Sequence, residues 1–283
     1  MTNLRRLLIS LGLPFICLSS ANAQNPAQNA QTQDQPFKFG DLTVQAGVRV
    51  WGNEWDVPVF QITPTLSNDI TIQETTRRSN FKFAAIPVLG VSYGRFVSNL
   101  TYMAPTYYDA GVEGLSSIRR EEFDANFGYS ILPPAESVLV GTISYKYAKI
   151  DSTTAIIGFH GQPTTINGVL FGLTGSVPIY EKLRLVGSFA IGPAKQRTST
   201  PQGEDRNDGL YRVLELGFSY PLISDPTGYL HSLSLTVTYR AQLYTAKGVQ
   251  FPTININNQI IGTENRDVNT TTQGPVIGLI GSF

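Results

Sequence analysis

Apolar and polar side chains alternate with a period of two along most of the chain after residue 40. In "DLTVQAGVRV", residues 41–50, one face carries Leu, Val and Ala, and the other carries Thr, Gln, Gly and Arg. The segment "HSLSLTVTYRAQL" at 231–243 repeats the pattern. Such alternation is typical of β-strands that have one face in apolar surroundings and one in polar surroundings. The pattern predicts an all-β protein.

Clusters of Gly, Pro, Asn, Asp and Ser divide the chain into ten such segments. The predicted strands cover residues 41–51, 81–95, 98–107, 120–131, 138–150, 167–178, 183–193, 209–220, 230–244 and 273–283. Short turns are predicted around Val97 and at 133–137, 180–182 and 223–228, and long polar connections at 52–80, 108–119, 151–166, 194–208 and 245–272. Short and long connections alternate strictly. This asymmetry is typical of a membrane barrel with short periplasmic turns and long external loops.

Two of the long connections contain an alternating pattern of their own. They read "VPVFQITPTLSNDITI" at 57–72 and "VQFPTININNQIIG" at 249–262. We interpret both as hairpins that extend the barrel above the membrane. The alternative is a twelve-strand barrel, in which one hairpin crosses the membrane.

The composition excludes two other classes of protein. Only 15% of the residues are charged, against roughly 25% in soluble domains. Beyond the first two dozen residues, no stretch approaches the roughly 20 consecutive apolar residues of a membrane-spanning helix. The 21 basic and 21 acidic residues balance, so nucleic acid is not an expected partner.

The N-terminal segment resembles an export signal. "MTNLRR" is basic, "LLISLGLPFICL" is apolar, and "SSANA" ends in the small residues of a cleavage site. We predict a signal peptide at 1–23, cleaved after Ala23, that contains the single cysteine, Cys17. Residues 24–39, rich in Gln and Asn, are predicted to be a disordered periplasmic lead, which leaves 40–283 as the barrel domain.

The same alternation also fits a soluble sandwich or a lipocalin-like barrel with its apolar faces inward. Three features favour lipid outside. The polar faces are mostly Gly, Ser, Thr and Ala, and the chain ends in Phe283, which shares a face with Ile277 and Leu279. Aromatic residues lie towards the segment ends, as interfacial girdles require: Tyr93, Tyr129, Tyr145, Tyr147, Phe218, Tyr220 and Tyr239.

With its signal peptide, strand rhythm and terminal Phe283, the chain resembles the broad family of Gram-negative outer-membrane β-barrel proteins. The resemblance implies a bacterial outer-membrane location and contact with outer-membrane lipid and lipopolysaccharide. It also implies insertion by the barrel-assembly machinery, for which Ile277, Leu279 and Phe283 would be the insertion signal. The oligomeric state stays open.

Six charged residues fall on polar faces that a barrel would turn into its lumen: Arg49, Asp124, Lys146, Arg240, Arg184 and Glu215. Strand direction predicts the first four at similar height in the external half, and Arg184 and Glu215 nearer the periplasmic half. Three cations facing one or two carboxylates would form the constriction of a narrow, weakly anion-preferring pore for small solutes. Alternatively, these groups pair with one another across a plugged lumen.

Signals for catalysis are weak, and we predict a protein that is not an enzyme. His160 lies in a predicted external loop, with Asp151, Ser152 and Glu113 as possible partners by loop position, and His231 falls at the periplasmic end of the ninth predicted strand. The sequence has no G-x-S-x-G motif, no cysteine pair and no H-x-x-x-H spacing, so no cofactor or metal is expected. Besides a pore, the candidate function is a closed barrel whose long external loops make it an adhesin or a ligand-binding or structural envelope protein.

Overall fold

The structure is a computed structural model that describes residues 42–64, 70–109, 118–132, 137–152, 163–200, 203–225, 227–254 and 260–283. The predicted signal peptide and lead, together with Glu113 and His160, lie outside the described residues. Within the described ranges, no helix has the length and apolar character needed to cross a membrane. The strands are β1 (Leu42–Pro64), β2 (Ile70–Arg78), β3 (Lys82–Tyr93), β4 (Phe96–Tyr108), β5 (Ile118–Ser130), β6 (Val138–Ser152), β7 (Thr164–Tyr180), β8 (Leu183–Thr200), β9 (Gly203–Ser224), β10 (Ser232–Ile254) and β11 (Ile260–Ser282).

Ten of these strands close into an antiparallel barrel. β3 to β11 pair with their neighbours in chain order, and β1 closes the ring by pairing with both β3 and β11. The predicted all-β, up-and-down barrel of ten strands is confirmed. Closure leaves the ring without a free edge, which a sheet in hydrocarbon requires.

Both predicted hairpins extend the wall at one end of the barrel. β2 pairs with the far half of β1, from Asp56 opposite Arg78 to Pro64 opposite Ile70. The pairing of β10 with β11 likewise continues to Ile254 opposite Ile260. We call this the upper end, and the opposite end, which has the short turns, the lower end. The twelve-strand alternative is wrong, because neither hairpin adds a strand to the ring.

The predicted long loops are wrong in extent, because much of their length is strand. β8 and β9 stay paired up to Thr200 opposite Gly203, through a segment predicted to be a loop at 194–208. The physical reason is that apolar alternation reports contact with an apolar surrounding, whereas strand pairing continues wherever backbone groups find partners. Polar residues therefore form strand above the point at which the apolar pattern stops.

The first short turn also lies elsewhere than predicted. The chain reverses at Gly94 and Arg95, and Val97 is already the second residue of β4. Gly94 has a φ of +56°, a conformation that side chains disfavour, so this glycine sets the turn.

At the turn after β9, Asp225 accepts hydrogen bonds from the Thr227 hydroxyl (2.7 Å) and the Thr227 backbone N–H (3.0 Å). These bonds lower the pKa of Asp225 from its ordinary value.

The outer face of the ring is an apolar band. Examples of its exposed side chains are Val48 on β1 (46% exposed), Phe127 on β5 (61%) and Ile277 on β11 (55%). On each strand, the residues that alternate with the exposed ones point inward. Near the lower end, aromatic rings pack in pairs: Phe96 with Tyr129 at 5.3 Å, and Tyr229 with Phe283 at 5.7 Å between ring centres. An exposed apolar band with an aromatic rim is what a spanning barrel presents to lipid.

Two glycines permit close packing where the ring closes. A Cβ on Gly274 of β11, which has a φ of +155°, would lie 1.9 Å from the carbonyl oxygen of Gly52 on β1. A Cβ on Gly52 would in turn lie 2.5 Å from the ring of Phe81. At the lower end of the same junction, Phe283 and Val44 exchange backbone hydrogen bonds of 2.8 and 3.1 Å.

Candidate functional site in the barrel lumen

The inward faces of five strands bring together seven charged side chains in one layer of the lumen. Alternation along each strand places them inside, because the intervening residues face outward. We call this layer the ion network: Arg49 on β1, Arg120, Glu122 and Asp124 on β5, Lys146 on β6, Glu215 on β9 and Arg240 on β10. Four cations therefore face three carboxylates.

Every member of the ion network has a partner of opposite charge. The Lys146 ammonium lies 2.7 Å from Asp124 Oδ1 and 2.8 Å from Glu122 Oε2. Asp124 Oδ2 also binds Arg240 Nη2 at 3.0 Å, and Glu122 Oε1 pairs with Arg120 Nη2 at 2.5 Å. Arg49 pairs with Glu215, which accepts a second hydrogen bond, of 2.8 Å, from the Thr238 hydroxyl. Buried charges are tolerated when they are paired and hydrogen-bonded in this way.

The ion network joins opposite walls of the barrel. β5 and β10 are five strands apart in either direction around the ten-strand ring. Arg240 on β10 nevertheless contacts Asp124 on β5 directly. Two residues farther up β10, the Gln242 side chain donates a hydrogen bond of 3.1 Å to Glu122 and accepts one of 3.1 Å from Arg120. At this level side chains therefore fill the space between the two walls.

Aromatic rings lie against three of the four cations. The Arg240 guanidinium lies 5.2 Å from the ring centre of Trp51, and the Arg120 guanidinium lies 5.3 Å from that of Trp55. The Lys146 ammonium lies 5.2 Å from the ring centre of Tyr211. These distances suit cation–π attraction, which is stronger away from water. The three rings are themselves buried, since none is more than 4% exposed.

Two apolar clusters pack in the upper part of the lumen beside these rings. One comprises Ala148, Ile166, Leu170, Ala194, Tyr211, Tyr244 and Ala246. The other, which we call the Trp51 cluster, comprises Trp51, Ala84, Ile86, Met103 and Val276. Tyr108, whose ring packs against that of Trp55, donates a hydrogen bond of 2.5 Å to Asn53, which is fully buried. The upper lumen is thus packed like a protein core.

Below the ion network the lumen widens into a cavity of about 210 Å³. Its lining combines hydroxyl and amide side chains with a similar number of apolar ones, and Arg49, Asp124, Lys146, Glu215 and Arg240 lie along its upper limit. Polar residues of the lower strand halves contribute Gln45, Asn99, Asn126, Thr142, Thr174 and Thr236. The cavity therefore ends against the ion network.

Five of the six charged residues singled out in the sequence lie in the ion network, and Arg184 lies apart. Arg184 is the second residue of β8 and donates to Ser176 Oγ at 2.6 Å, near the lower end. Glu215 is higher than predicted, since it stands directly opposite Arg240 in the pairing of β9 with β10. The reason is that β9 runs on to Ser224, so Glu215 lies farther from the lower end than a strand ending at 220 implied.

Four further residues of this part of the lumen, Arg120, Glu122, Trp51 and Trp55, were not predicted from the sequence. Glu122 and Arg120 continue the inward alternation that starts from Asp124, and the two tryptophans continue the one from Arg49. Period-two spacing was therefore a usable signal. It is weak here because the intervening residues Arg119, Glu121 and Glu54 are polar, so the lipid-facing pattern that marks a strand fades.

The candidate catalytic residues are not gathered into a site among the described residues. His231 lies in the turn before β10, where its backbone N–H donates a hydrogen bond of 2.8 Å to the Ser282 carbonyl oxygen. Asp151 faces outward and pairs with Arg119 and Lys149, each at 3.2 Å. No group of three or more His, Cys, Asp or Glu side chains that could hold a metal occurs in the described part of the chain.

Solved structures with similar folds are outer-membrane proteins. The outer-membrane protease OmpT of Escherichia coli is 13% identical, with a TM-score of 0.50, over 88% of this chain and 98% of its own. The chain has the fold of an outer-membrane β-barrel. More distant from this barrel are the translocator domain of the autotransporter NalP from Neisseria meningitidis (11% identity, TM-score 0.38, 86% and 89% coverage) and the toluene transporter TodX from Pseudomonas putida (10% identity, TM-score 0.34, 94% coverage of both chains). No family model and no curated protein matches the barrel's sequence.

Proposed function

We propose that this protein is a closed, non-conducting barrel of the bacterial outer membrane that acts as a binding or structural envelope protein through its upper end. The observation that carries the proposal is the direct contact between opposite walls, Arg240 with Asp124, in the middle of the lumen. A solute would have to break several paired, buried charges to pass. In the proposed orientation the upper end is external and the lower end periplasmic.

The charge arrangement gives little support to the anion-preferring pore. A selective constriction presents side-chain charges to passing ions. Here Arg49, Lys146 and Arg240 are each engaged by a carboxylate, and Lys146 is only 2% exposed. The alternative weighed from the sequence, pairing across a plugged lumen, accounts better for this geometry.

The proposal does not include catalysis. OmpT is named a protease, but at 13% identity the likeness extends to the fold alone. The sequence offered His160 as the main candidate base, and that residue lies outside the described part of the chain. We therefore base the proposed function on the lumen and the strand extensions.

The outer surface supports the proposed membrane partners. Just above the apolar band, Arg119, Glu121, Lys149 and Asp151 form an outward group of ion pairs at the height of lipid head groups. Such charges suit contact with the phosphates of lipopolysaccharide. Ile277, Leu279 and Phe283 lie exposed on the outward face of β11, as recognition by the barrel-assembly machinery would require. Export by the predicted signal peptide completes the proposal.

Planar-bilayer recording of the purified protein tests closure. We expect no conductance steps from the unmodified protein. A variant with serine at all seven positions of the ion network and at Gln242 removes the side chains that join the walls at this level, and it should introduce steps. The matched control Arg119→Ser/Asp151→Ser removes an outward pair and should stay silent. Steps from the unmodified protein that vanish when Arg49, Lys146 and Arg240 are neutralised would overturn the proposal and establish the pore.

A further inference from the structure

Among the described residues, the longest interruption of the hydrogen-bonded wall lies between β3 and β4. The pairings of β1 with β11 and of β7 with β8 are also interrupted, but each skips only two residues per strand. The pairing of β3 with β4 runs only from Tyr93 opposite Phe96 to Val88 opposite Thr101. Residues 82–87 of β3 and 102–108 of β4 are all described, yet no pairing joins these two segments. On its other side each strand is paired along almost its whole length, β3 with β1 and β4 with β5. We call this interruption the β3–β4 gap.

The gap has defined ends. Below it, the ladder resumes at Val88 and Thr101. Above it, the Asn80 backbone N–H donates to the Asp109 carbonyl at 2.8 Å, and the Asp109 N–H donates to Asn80 Oδ1 at 2.9 Å. Six residues of β3 lie between the Asn80–Asp109 hydrogen bonds and the Val88–Thr101 pair, a length of roughly 20 Å. The interruption is therefore a bounded slit and not a frayed edge.

Two prolines explain why the ladder stops. Pro87 is the first β3 residue beyond the last pair, and it has no N–H to donate. On β4, Pro105 lies inside a register shift between Met103 and Thr106. Proline inside a sheet is largely confined to edges and bulges, so the sequence disfavours pairing on both sides of the gap. In hydrocarbon unpaired backbone is costly, and its retention here calls for a function.

Apolar side chains close the gap from inside. Ile86 and Met103, only 3% and 2% exposed, belong to the Trp51 cluster directly behind the gap. A small void of about 10 Å³ adjoins both residues and is limited on its inner side by Glu122, Asp124 and Arg240 of the ion network. Met103 is flexible and can repack without a large penalty. The barrier at the gap is thus made of movable side chains and lacks the backbone hydrogen bonds present elsewhere in the wall.

The outer mouth of the gap lies within the upper half of the apolar band. Phe83 is 73% exposed and Tyr102 44% exposed, and Pro87 is exposed between Val48 and the gap. In the proposed orientation this is the outer-leaflet half of the membrane. Whatever reaches the mouth comes from the hydrocarbon, and the Trp51 cluster behind it is built of hydrophobic side chains, with Arg240 against the Trp51 ring.

We propose that the β3–β4 gap is a lateral entrance through which the acyl chain of a membrane lipid passes from the outer leaflet into the Trp51 cluster. Met103 and Ile86 move aside, and the chain packs against Trp51 and Val276. Arg240, which lies against Trp51 and is paired with Asp124, stops the chain from advancing further down the lumen. The site therefore takes an apolar chain from the side and does not lead through the membrane.

Photolabelling from inside the bilayer tests the entrance. The protein is reconstituted with a phospholipid that carries a diazirine in the middle of one acyl chain, irradiated, and digested for mapping by mass spectrometry. We expect labels on inward residues of the Trp51 cluster, such as Met103, in addition to the outward Phe83. Ile166 is the matched control, because it is inward, apolar and 5% exposed, and its strand pairs with both neighbours at that position. It should remain unlabelled.

An engineered disulfide across the gap, called the lock, can be formed and reduced at will and makes the test specific. In Ile86→Cys/Met103→Cys the two positions face each other if the β3–β4 register is continued, so an oxidised pair would bar the gap. Oxidation should abolish labelling of Trp51 and Val276 and leave labelling of Phe83 unchanged. The control Ser144→Cys/Leu170→Cys bridges a paired position of β6 and β7, and its oxidation should change nothing.

Two results would overturn the proposal. One is the absence of label from the Trp51 cluster in the unmodified protein while Phe83 is labelled. The other is equal labelling of the cluster in the reduced and the oxidised lock variant. Because both redox states are measured on one folded preparation, a folding defect cannot imitate either result.

Discussion

Arg240 joins the opposite walls of the barrel, so its loss should lower the stability of the fold. It is 7% exposed, binds Asp124 across the lumen and lies against Trp51. Arg240→Met would remove one charge-assisted hydrogen bond from Asp124, which keeps Lys146 as its partner, and a hydrogen bond to a charged group contributes about 1.5–3 kcal/mol. We expect a loss of that order in the free energy of unfolding, measured by urea titration in proteoliposomes.

The matched control is Arg119→Met, because Arg119 forms two ion pairs on the outer surface with its side chain 32% exposed. Exposed ion pairs contribute about 0–1 kcal/mol, so this variant should stay close to the unmodified protein. Equal costs for the two substitutions would show that the ion network does not hold the walls together.

At this scale the sequence predicted which charges turn inward but not which ones meet. Period-two alternation identifies the inward face of each strand, and that was sufficient for Arg49, Asp124, Lys146 and Arg240. Contacts across the lumen depend on the stagger between strands, which no single strand's pattern contains. The pairing of Arg49 with Glu215, three strands away around the ring, could therefore not be predicted.

At the scale of strands, the apolar pattern predicted the number and order of the membrane-crossing elements and underestimated their length. β10 was predicted to end at 244 and continues to Ile254. Beyond the apolar band, residues such as Thr245 and Asn269 stand opposite each other and pair through their polar side chains at 2.7 Å. The alternation of apolar residues ends there because lipid ends, while the hydrogen-bonded ladder does not.

The β3–β4 gap yields a prediction about the backbone. Pro87→Val restores an N–H at the residue where the ladder stops, so pairing can advance towards Met103. We expect amide hydrogen exchange in residues 82–86 and 102–104 to slow by a few-fold to about tenfold, in line with a net gain of about 1 kcal/mol per hydrogen bond. Mass spectrometry of exchanged peptides measures this.

The internal control for this exchange experiment is the β5–β6 pair, which is matched without interruption from Ile118 opposite Ser152 to Ser130 opposite Val140. Its exchange should be the same in both proteins. If residues 82–86 already exchange as slowly as β5 before the substitution, the gap is closed by hydrogen bonds in solution and the prediction is wrong.

At the scale of the whole molecule, the barrel is a closed ring with an appended hairpin, and these parts should be separable. The ring closes through pairs of β1 with β11 that reach up to Asp56 opposite Thr271. β2, in contrast, pairs only with β1 among the described strands, from Asp56 upward. Among the described residues, β2 therefore takes no part in the backbone pairing that closes the ring.

Replacement of residues 58–76 by an Asn-Gly turn between Val57 and Arg77, which stand opposite each other, tests this independence. We expect the shortened protein to form the barrel with a free energy of unfolding within about 1 kcal/mol of the unmodified protein, since its ring is intact. Gly274→Ala is the contrasting variant, because a single methyl group there meets the Gly52 carbonyl oxygen at 1.9 Å and should hinder closure. Urea titration and the heat-dependent gel mobility of folded barrels compare the three proteins. If the hairpin deletion costs more than Gly274→Ala, the upper extension is part of what holds the ring closed, and the division between a membrane ring and an external binding end fails with it.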